Sequence, residues 1–292
     1  MAAQSKRIET EDGHALRIEV AGDCRRVVLA HLGSPNGGVL YDRWVDDASA
    51  RDLTLVTYDR SGYGGSSPRP GRTLADCAAD VRTISESLGF ERCAIWGFSG
   101  GGPHALACGA LLGDLVTAVA TIGSPAPFDA PGLDFFEGAS DEFREDVELF
   151  LADRPVWERK GQGQRDELVA MSVDAFRADW SAGVSPGDAE VLQGPFGAWL
   201  YRAVQAGLEP GTDGWLEDNV ASLSPWGFDV ASISVPVKVW HGLDDTFVPA
   251  GHGRWLASTI PGAKAELREG DGHLRVMAER IGDVHEWIGQ YV

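Results

Sequence analysis

The sequence predicts an α/β fold: a mostly parallel, eight-stranded twisted sheet with helices on both faces and an inserted helical cap. Three observations carry that expectation. Apolar strand-like runs alternate with helix-like segments over residues 1–124, and the same alternation resumes over residues 230–292. Between them, residues 125–229 show helical apolar spacing and no convincing strand. Strand–helix alternation calls for parallel pairing, because each return to the same edge needs a long crossover that a helix supplies. At 292 residues and 43% hydrophobic content, the chain is large enough for one such core with an insertion.

The elements follow in order. RIET and LRIEV flank the turn signal Asp12-Gly13 and read as a hairpin. RRVVLA is a buried strand, followed by the loop HLGSPNGG, a helix near residues 41–51 and the strand LTLVTYD. The Gly- and Pro-rich loop RSGYGGSSPRPG leads to Thr73, expected to cap the helix LADCAADVRTISESLG, which stops at Gly89. CAIWGFS is the next strand, then a helix from about Gly101 to Leu112 and the strand VTAVATIG. In the 125–229 interval, EFREDVELFLA and DELVAMSVDAFRADW have helical spacing. Five of the ten tryptophans fall there, and packing in a helical layer is their default role. VPVKVWHG, a helix through Trp255, KAELRE and a closing helix to Trp287 complete the alternation.

Composition narrows the function. The formal charge is −19 with a pI near 4.6, which argues against nucleic acid and anionic membranes as partners. Residues 125–229 hold 21 acidic and 7 basic side chains, so most of the surplus lies in the expected cap. Such a surface aids solubility and, over a site, favours neutral or cationic small molecules. The opening MAAQSKRIETEDGH lacks the apolar stretch of a signal peptide, and no apolar run reaches spanning length, so a cytoplasmic protein is expected. Cys24, Cys77, Cys93 and Cys108 have neither CxxC nor zinc spacing and read as small hydrophobes. Neither metal nor organic cofactor is called for.

The chemistry enters at Gly97-Phe98-Ser99-Gly100-Gly101. In a chain with 37 glycines the GxSxG pattern alone is weak. Its setting is more telling, because an apolar strand runs straight into it and a helix follows at once, as a nucleophile elbow requires. Bulky neighbours would clash in so sharp a turn, and the helix start directs free N–H groups at a developing negative charge.

Three further segments resemble the α/β-hydrolase superfamily, and in particular its branch of prolyl iminopeptidases and related esterases with a helical cap. Where that branch carries HGxPG, this chain has Leu32-Gly33-Ser34-Pro35-Asn36, with leucine for the histidine and asparagine for the last glycine. The resemblance implies an oxyanion hole from the backbone N–H groups of Ser34 and Gly100. His31 is the candidate to take over the loop-holding hydrogen bond. Tyr58-Asp59-Arg60-Ser61-Gly62-Tyr63-Gly64-Gly65-Ser66 resembles the family's DRxGxGxS segment, whose charged pair is expected to fix the loop beside the elbow. VWHGLDDTFVP resembles its GxxDxxxP segment, which puts the acid at Asp245, with Asp244 and Asp129 as rivals. His273 in GDGH stands where the family places its base, in a chain order of serine, acid, histidine.

A serine hydroxyl needs a base and an orienting carboxylate to act at neutral pH. Ser99, His273 and Asp245 would supply these for an ester-like or amide-like carbonyl of a small molecule, with a carboxylesterase as the leading reading. A prolyl-type aminopeptidase is the runner-up, with Glu137, Glu142 and Glu145 as candidate anchors for a substrate amine. Lactonase and carbon–carbon bond hydrolase activities also fit the constellation. A ligand-binding or biosynthetic cyclase protein on the same fold is the alternative from another class. Serine at the elbow speaks against haloalkane dehalogenase or ordinary epoxide hydrolase chemistry, which needs a carboxylate nucleophile.

Overall fold

The computed structural model describes residues 3–292, and they form an eight-stranded sheet flanked by helices. The strands are β1 (Gln4–Glu9), β2 (Ala15–Ala21), β3 (Val27–His31), β4 (Thr54–Tyr58), β5 (Cys93–Phe98), β6 (Val116–Ile122), β7 (Val237–Gly242) and β8 (Lys264–Arg268). Their spatial order is β1-β2-β4-β3-β5-β6-β7-β8. The first two strands form the expected hairpin, in which Gly13 takes φ +81° in the turn. β2 also runs antiparallel to β4, and every later pairing is parallel.

Alternation along the parallel strands sends side chains to two apolar layers. Val27, Leu29, Cys93 and Ile95 face the layer closed by α2 (Cys77–Leu88), α3 (Gly101–Leu111) and α10 (Ala250–Thr259). Val28, Ala30, Ala94 and Trp96 face the other, closed by α1 (Asp42–Ala50) and α11 (His273–Ile288). All four cysteines are free thiols, and Cys77, Cys93 and Cys108 are buried. No helix of the described residues is long and apolar enough to cross a membrane.

α2 begins later than the sequence suggests. Thr73 does not cap it; the Asp76 carboxylate instead accepts from the Thr73 backbone N–H (2.7 Å) and hydroxyl (2.9 Å). That local turn occupies the first residues of the apolar run, so the helix starts at Cys77.

Six helices fill the interval between β6 and β7: α4 (Asp141–Ala152), α5 (Arg154–Ala170), α6 (Val173–Ser181), α7 (Pro186–Gln193), α8 (Pro195–Leu208) and α9 (Asp213–Leu223). The run around Met171 is split because Ser172 turns to accept from the Ala175 N–H and begins a new helix. α8 is the most deeply seated. Its Trp199 packs edge-on against Trp44 of α1, with centroids 4.5 Å apart, and donates to the Val39 carbonyl at 2.8 Å. Gly207 lies so close to the Pro35 carbonyl that a β-carbon there would overlap it.

Strand order positions the site. From β3 the chain steps to β4 on one side, whereas β5 pairs on its other side. The loops leaving β3 and β5 therefore diverge from adjacent carboxyl ends, the arrangement that opens a crevice in parallel sheets.

Candidate active site

Ser99 sits at the mouth of that crevice, between β5 and α3, with φ +51°. A non-glycine residue in the left-handed region is strained and is held there by its surroundings. The flanking glycines make the turn possible. A side chain at Gly97 would run into the Gly101 carbonyl, and one at Gly101 into the His31 carbonyl.

The structure brings the three singled-out side chains together from three parts of the chain. Ser99 Oγ lies 3.0 Å from His273 Nε2, and His273 Nδ1 lies 2.7 Å from Asp245 Oδ2. Asp245 Oδ1 accepts from the backbone N–H groups of Phe247 (2.9 Å) and Val248 (2.8 Å), which fixes the carboxylate. The rivals Asp244 and Asp129 are both exposed. Burial works against a charged His273, but the charge and hydrogen bond of Asp245, with the nearby charge of Asp188, outweigh it and raise the imidazole above its ordinary value.

Ser34 and Gly100 face each other across the crevice, and a β-carbon added at Gly100 would stand 3.5 Å from the Ser34 nitrogen. Neither backbone N–H has an acceptor among the described residues. Gly100 also precedes α3, so its amide belongs to the positive end of that helix.

The loop behind Ser34 is not held as the sequence suggests. His31 is buried, its Nε2 is 3.7 Å from Cys108 Sγ, and its Nδ1 has no partner among the described residues. Asp59 and Arg60 do not pair with each other. Asp59 accepts from the backbone N–H groups of Gly38 (2.5 Å) and Gly65 (2.8 Å). Arg60 donates to the Leu32 carbonyl at 2.5 Å and forms a buried ion pair with Asp218 of α9. Asp218 also pairs with Arg72 and accepts from Tyr63 Oη (2.9 Å) and Ser34 Oγ (2.5 Å). Burial alone would raise this carboxyl, but two guanidinium groups hold it well below its ordinary range.

A second carboxylate from the inserted helices was also beyond sequence reasoning. Asp188 of α7 accepts from the backbone N–H groups of His273 (2.9 Å), Leu274 (2.9 Å) and Arg275 (2.8 Å). Those are orphan donors at the start of α11. No local cap motif marks this contact, because donor and acceptor stand about 85 residues apart.

None of the other described histidines reaches Ser99, although His241 Nε2 lies 3.6 Å from Asp245 Oδ2. His104 Nδ1 pairs with the Gly100 carbonyl at 3.0 Å, and burial together with Arg60 lowers it to about 3. His241 Nε2 donates to the Val248 carbonyl at 2.7 Å, and His252 bridges the Ala126 N–H and the Phe135 carbonyl. His285 pairs with Asp47 at 2.8 Å. Among the described residues no cluster of His, Cys, Asp and Glu has the form of a metal site.

Ser99 and His273 open on a cavity of about 240 Å³. Phe135, Phe143, Trp157, Trp180, Trp215 and Phe247 supply its aromatic walls. Three tryptophans of the 125–229 interval thus line the cavity, whereas Trp199 and Trp226 are packed in the core. Glu137, Glu142 and Glu145, the candidate amine anchors, are exposed and do not line it. Asp146 does, but Lys160 Nζ (2.6 Å) and Trp157 Nε1 (3.0 Å) already donate to it.

Comparison with known proteins agrees with this architecture. A protein described as a candidate carbamate hydrolase, RutD, from Pseudomonas savastanoi pv. phaseolicola is 28% identical over 242 residues, 79% of this chain and 81% of that protein. A bromoperoxidase from Bacillus anthracis superposes with a TM-score of 0.73 at 24% identity, covering 98% of this chain and 100% of the other. A thermophilic esterase from Thermogutta terrifontis superposes with a TM-score of 0.70 at 19% identity, covering 99% of both chains. The alpha/beta hydrolase fold family matches residues 26–278, and the chain belongs to that family.

Proposed function

We propose that this protein is a serine hydrolase that cleaves an ester-like bond of a small uncharged molecule through an acyl-enzyme. The observation that carries the reading is the unbroken chain of contacts from Asp245 through His273 to Ser99, ending at the wall of an aromatic cavity. His273 Nε2 takes the hydroxyl proton as Ser99 attacks the carbonyl, and Asp245 holds the imidazole in the tautomer this requires. The N–H groups of Ser34 and Gly100 receive the oxyanion; fixed donors of this kind contribute roughly 3–4 kcal/mol each to such reactions. His273 then returns the proton to the leaving group and activates water for deacylation.

Residues 125–229 act in this account as a cap that walls the cavity and supplies the carboxylates of Asp188 and Asp218. The bonds named for the carbamate hydrolase and the esterase relatives involve the same carbonyl chemistry. A carboxylic ester remains the leading substrate. The aminopeptidase reading loses the support that motivated it, since its proposed glutamates are on the outer surface and Asp146 is already paired. Lactone and carbon–carbon cleavage use the same groups, and no contact singles them out. For a protein that binds without turnover, the paired His273 and Ser99 would have no use.

A fluorophosphonate probe and a panel of simple esters test the proposal together. Stoichiometric labelling of Ser99 with ester turnover, both lost in Ser99→Ala, is the expected result. Labelling without turnover of any ester, lactone or amide would favour the binding protein.

A further inference from the structure

The cavity is aromatic on most sides, yet one edge is polar and has no internal partners. Asn36 lies two residues beyond Ser34, is 5% exposed and lines the cavity. Its backbone N–H is committed to the Gly33 carbonyl at 2.9 Å, whereas its side-chain amide enters no hydrogen bond among the described residues. The amide opens on the cavity, so a ligand that fills the cavity displaces its water and must supply the missing partner, which makes Asn36 a strong discriminator. Asn219 and Ser222 line the same cavity from α9. They are three apart and share a helix face, and their side chains also lack partners among the described residues.

Charge limits what this edge can recognise. Among the described residues no Lys or Arg lines the cavity. Lys160 is held by Asp146, and Arg60 and Arg72 are committed to Asp218 behind the loop. A substrate carboxylate would enter without a counter-ion, next to Asp146. Size sets a second limit, since an apolar cavity of about 150 Å³ holds benzene. A volume of about 240 Å³ has room for such a ring and a short arm carrying the carbonyl.

We propose that Asn36, with Asn219 and Ser222, selects substrates bearing an uncharged hydrogen-bonding group, such as a hydroxyl, on the carbon next to the scissile carbonyl, with an aromatic ring beyond it. Asn36 is then a specificity residue of the site. The proposal rests on the serine-hydrolase reading. An amide both donates and accepts, so a hydroxyl satisfies either half of it. The bare hydrocarbon analogue leaves the amide unpaired in the bound state and loses affinity on the way to the transition state.

Two matched pairs of esters test it: methyl mandelate against methyl phenylacetate, and methyl phenyllactate against methyl hydrocinnamate. Each rate is divided by that ester's alkaline hydrolysis rate to remove intrinsic reactivity. The wild-type protein is expected to favour the hydroxy ester by about tenfold or more in kcat/KM in at least one pair. Asn36→Leu is expected to bring that ratio close to one, and Asn219→Leu, which leaves the loop untouched, to reduce it. A wild-type ratio near one in both pairs would overturn the proposal, as would a ratio that survives in both variants. If no ester is cleaved and a fluorophosphonate leaves Ser99 unlabelled, the hydrolase reading itself falls and takes the proposal with it.

Discussion

Asp188, on the inserted helix α7, accepts a hydrogen bond from the backbone N–H of His273 at 2.9 Å. The inserted helices thus hold the backbone of the proposed base as well as walling the cavity. The same carboxylate takes the next two N–H groups of α11, so the start of that helix is capped from a distance.

Asp188→Asn should therefore lower kcat more than it changes KM, by roughly ten- to a hundredfold, because a misplaced base costs rate rather than binding. It should also move the acid limb of the pH profile to lower pH. The charges near the imidazole are Asp245, Asp188 and, if protonated, His241, which lies 3.6 Å from Asp245. Removing one anion lowers the affinity of His273 for a proton. An unchanged acid limb measured by kcat/KM against pH would contradict the role.

In the wild-type protein the proposed base must be neutral to accept the serine proton. Since His273 is raised from its ordinary value, activity should rise with pH through a midpoint above about 6.5. Asp245→Asn should shift that midpoint down and reduce kcat by about 10⁴-fold, as loss of the orienting carboxylate does in comparable triads.

Asp218→Asn should be among the most destabilising single changes in the protein. It leaves the buried guanidinium groups of Arg60 and Arg72 without their carboxylate, a loss of about 3–5 kcal/mol. Because Ser34 Oγ donates to Asp218, activity per folded molecule should also fall. Urea unfolding followed by tryptophan fluorescence gives the first quantity, and active-site titration gives the second.

His104 predicts a pH dependence of stability. Its folded value of about 3 is below the unfolded value of about 6.5, so the unfolded chain binds the proton more readily. The stability tied to a neutral His104 is present above about pH 6.5 and is lost progressively as pH falls toward 3. Between pH 6.5 and 5 that loss is about 2 kcal/mol. Asp80, pushed up to about 6 by burial, acts in the opposite sense, so the informative comparison is between wild type and His104→Gln. The variant should show the shallower loss of stability between pH 7 and 5 in urea titrations.

The sequence made the sheet legible because runs such as VVLA and CAIW have to be buried on both faces, and the GxSxG turn legible because two glycines are sterically required around Ser99. Asp245 and His273, which the structure brings together with Ser99, were singled out through loops that resemble the family's segments. Asp188 and Asp218 were not singled out, although both contact the candidate site, Asp188 at the His273 backbone and Asp218 at Ser34 Oγ. Each looks like an ordinary acidic residue on an acidic helix, and what distinguishes it is burial against groups remote in the chain. Asp59 and Arg60 show the same limit: adjacency suggested a pair, but the side chains diverge to separate partners. Helical spacing marked residues 125–229 as helical, and helices do run between Asp141 and Leu223, but it did not show which tryptophans would face a cavity or that residues 125–140 form turns instead.

The most direct test is mass spectrometry of the protein quenched during the first turnovers of an activated ester such as p-nitrophenyl acetate. An acetyl group on Ser99, formed in a burst and absent from Ser99→Ala, is the expected result. Undiminished ester turnover by Ser99→Ala, with no acyl group on Ser99 of the wild type, would contradict the account.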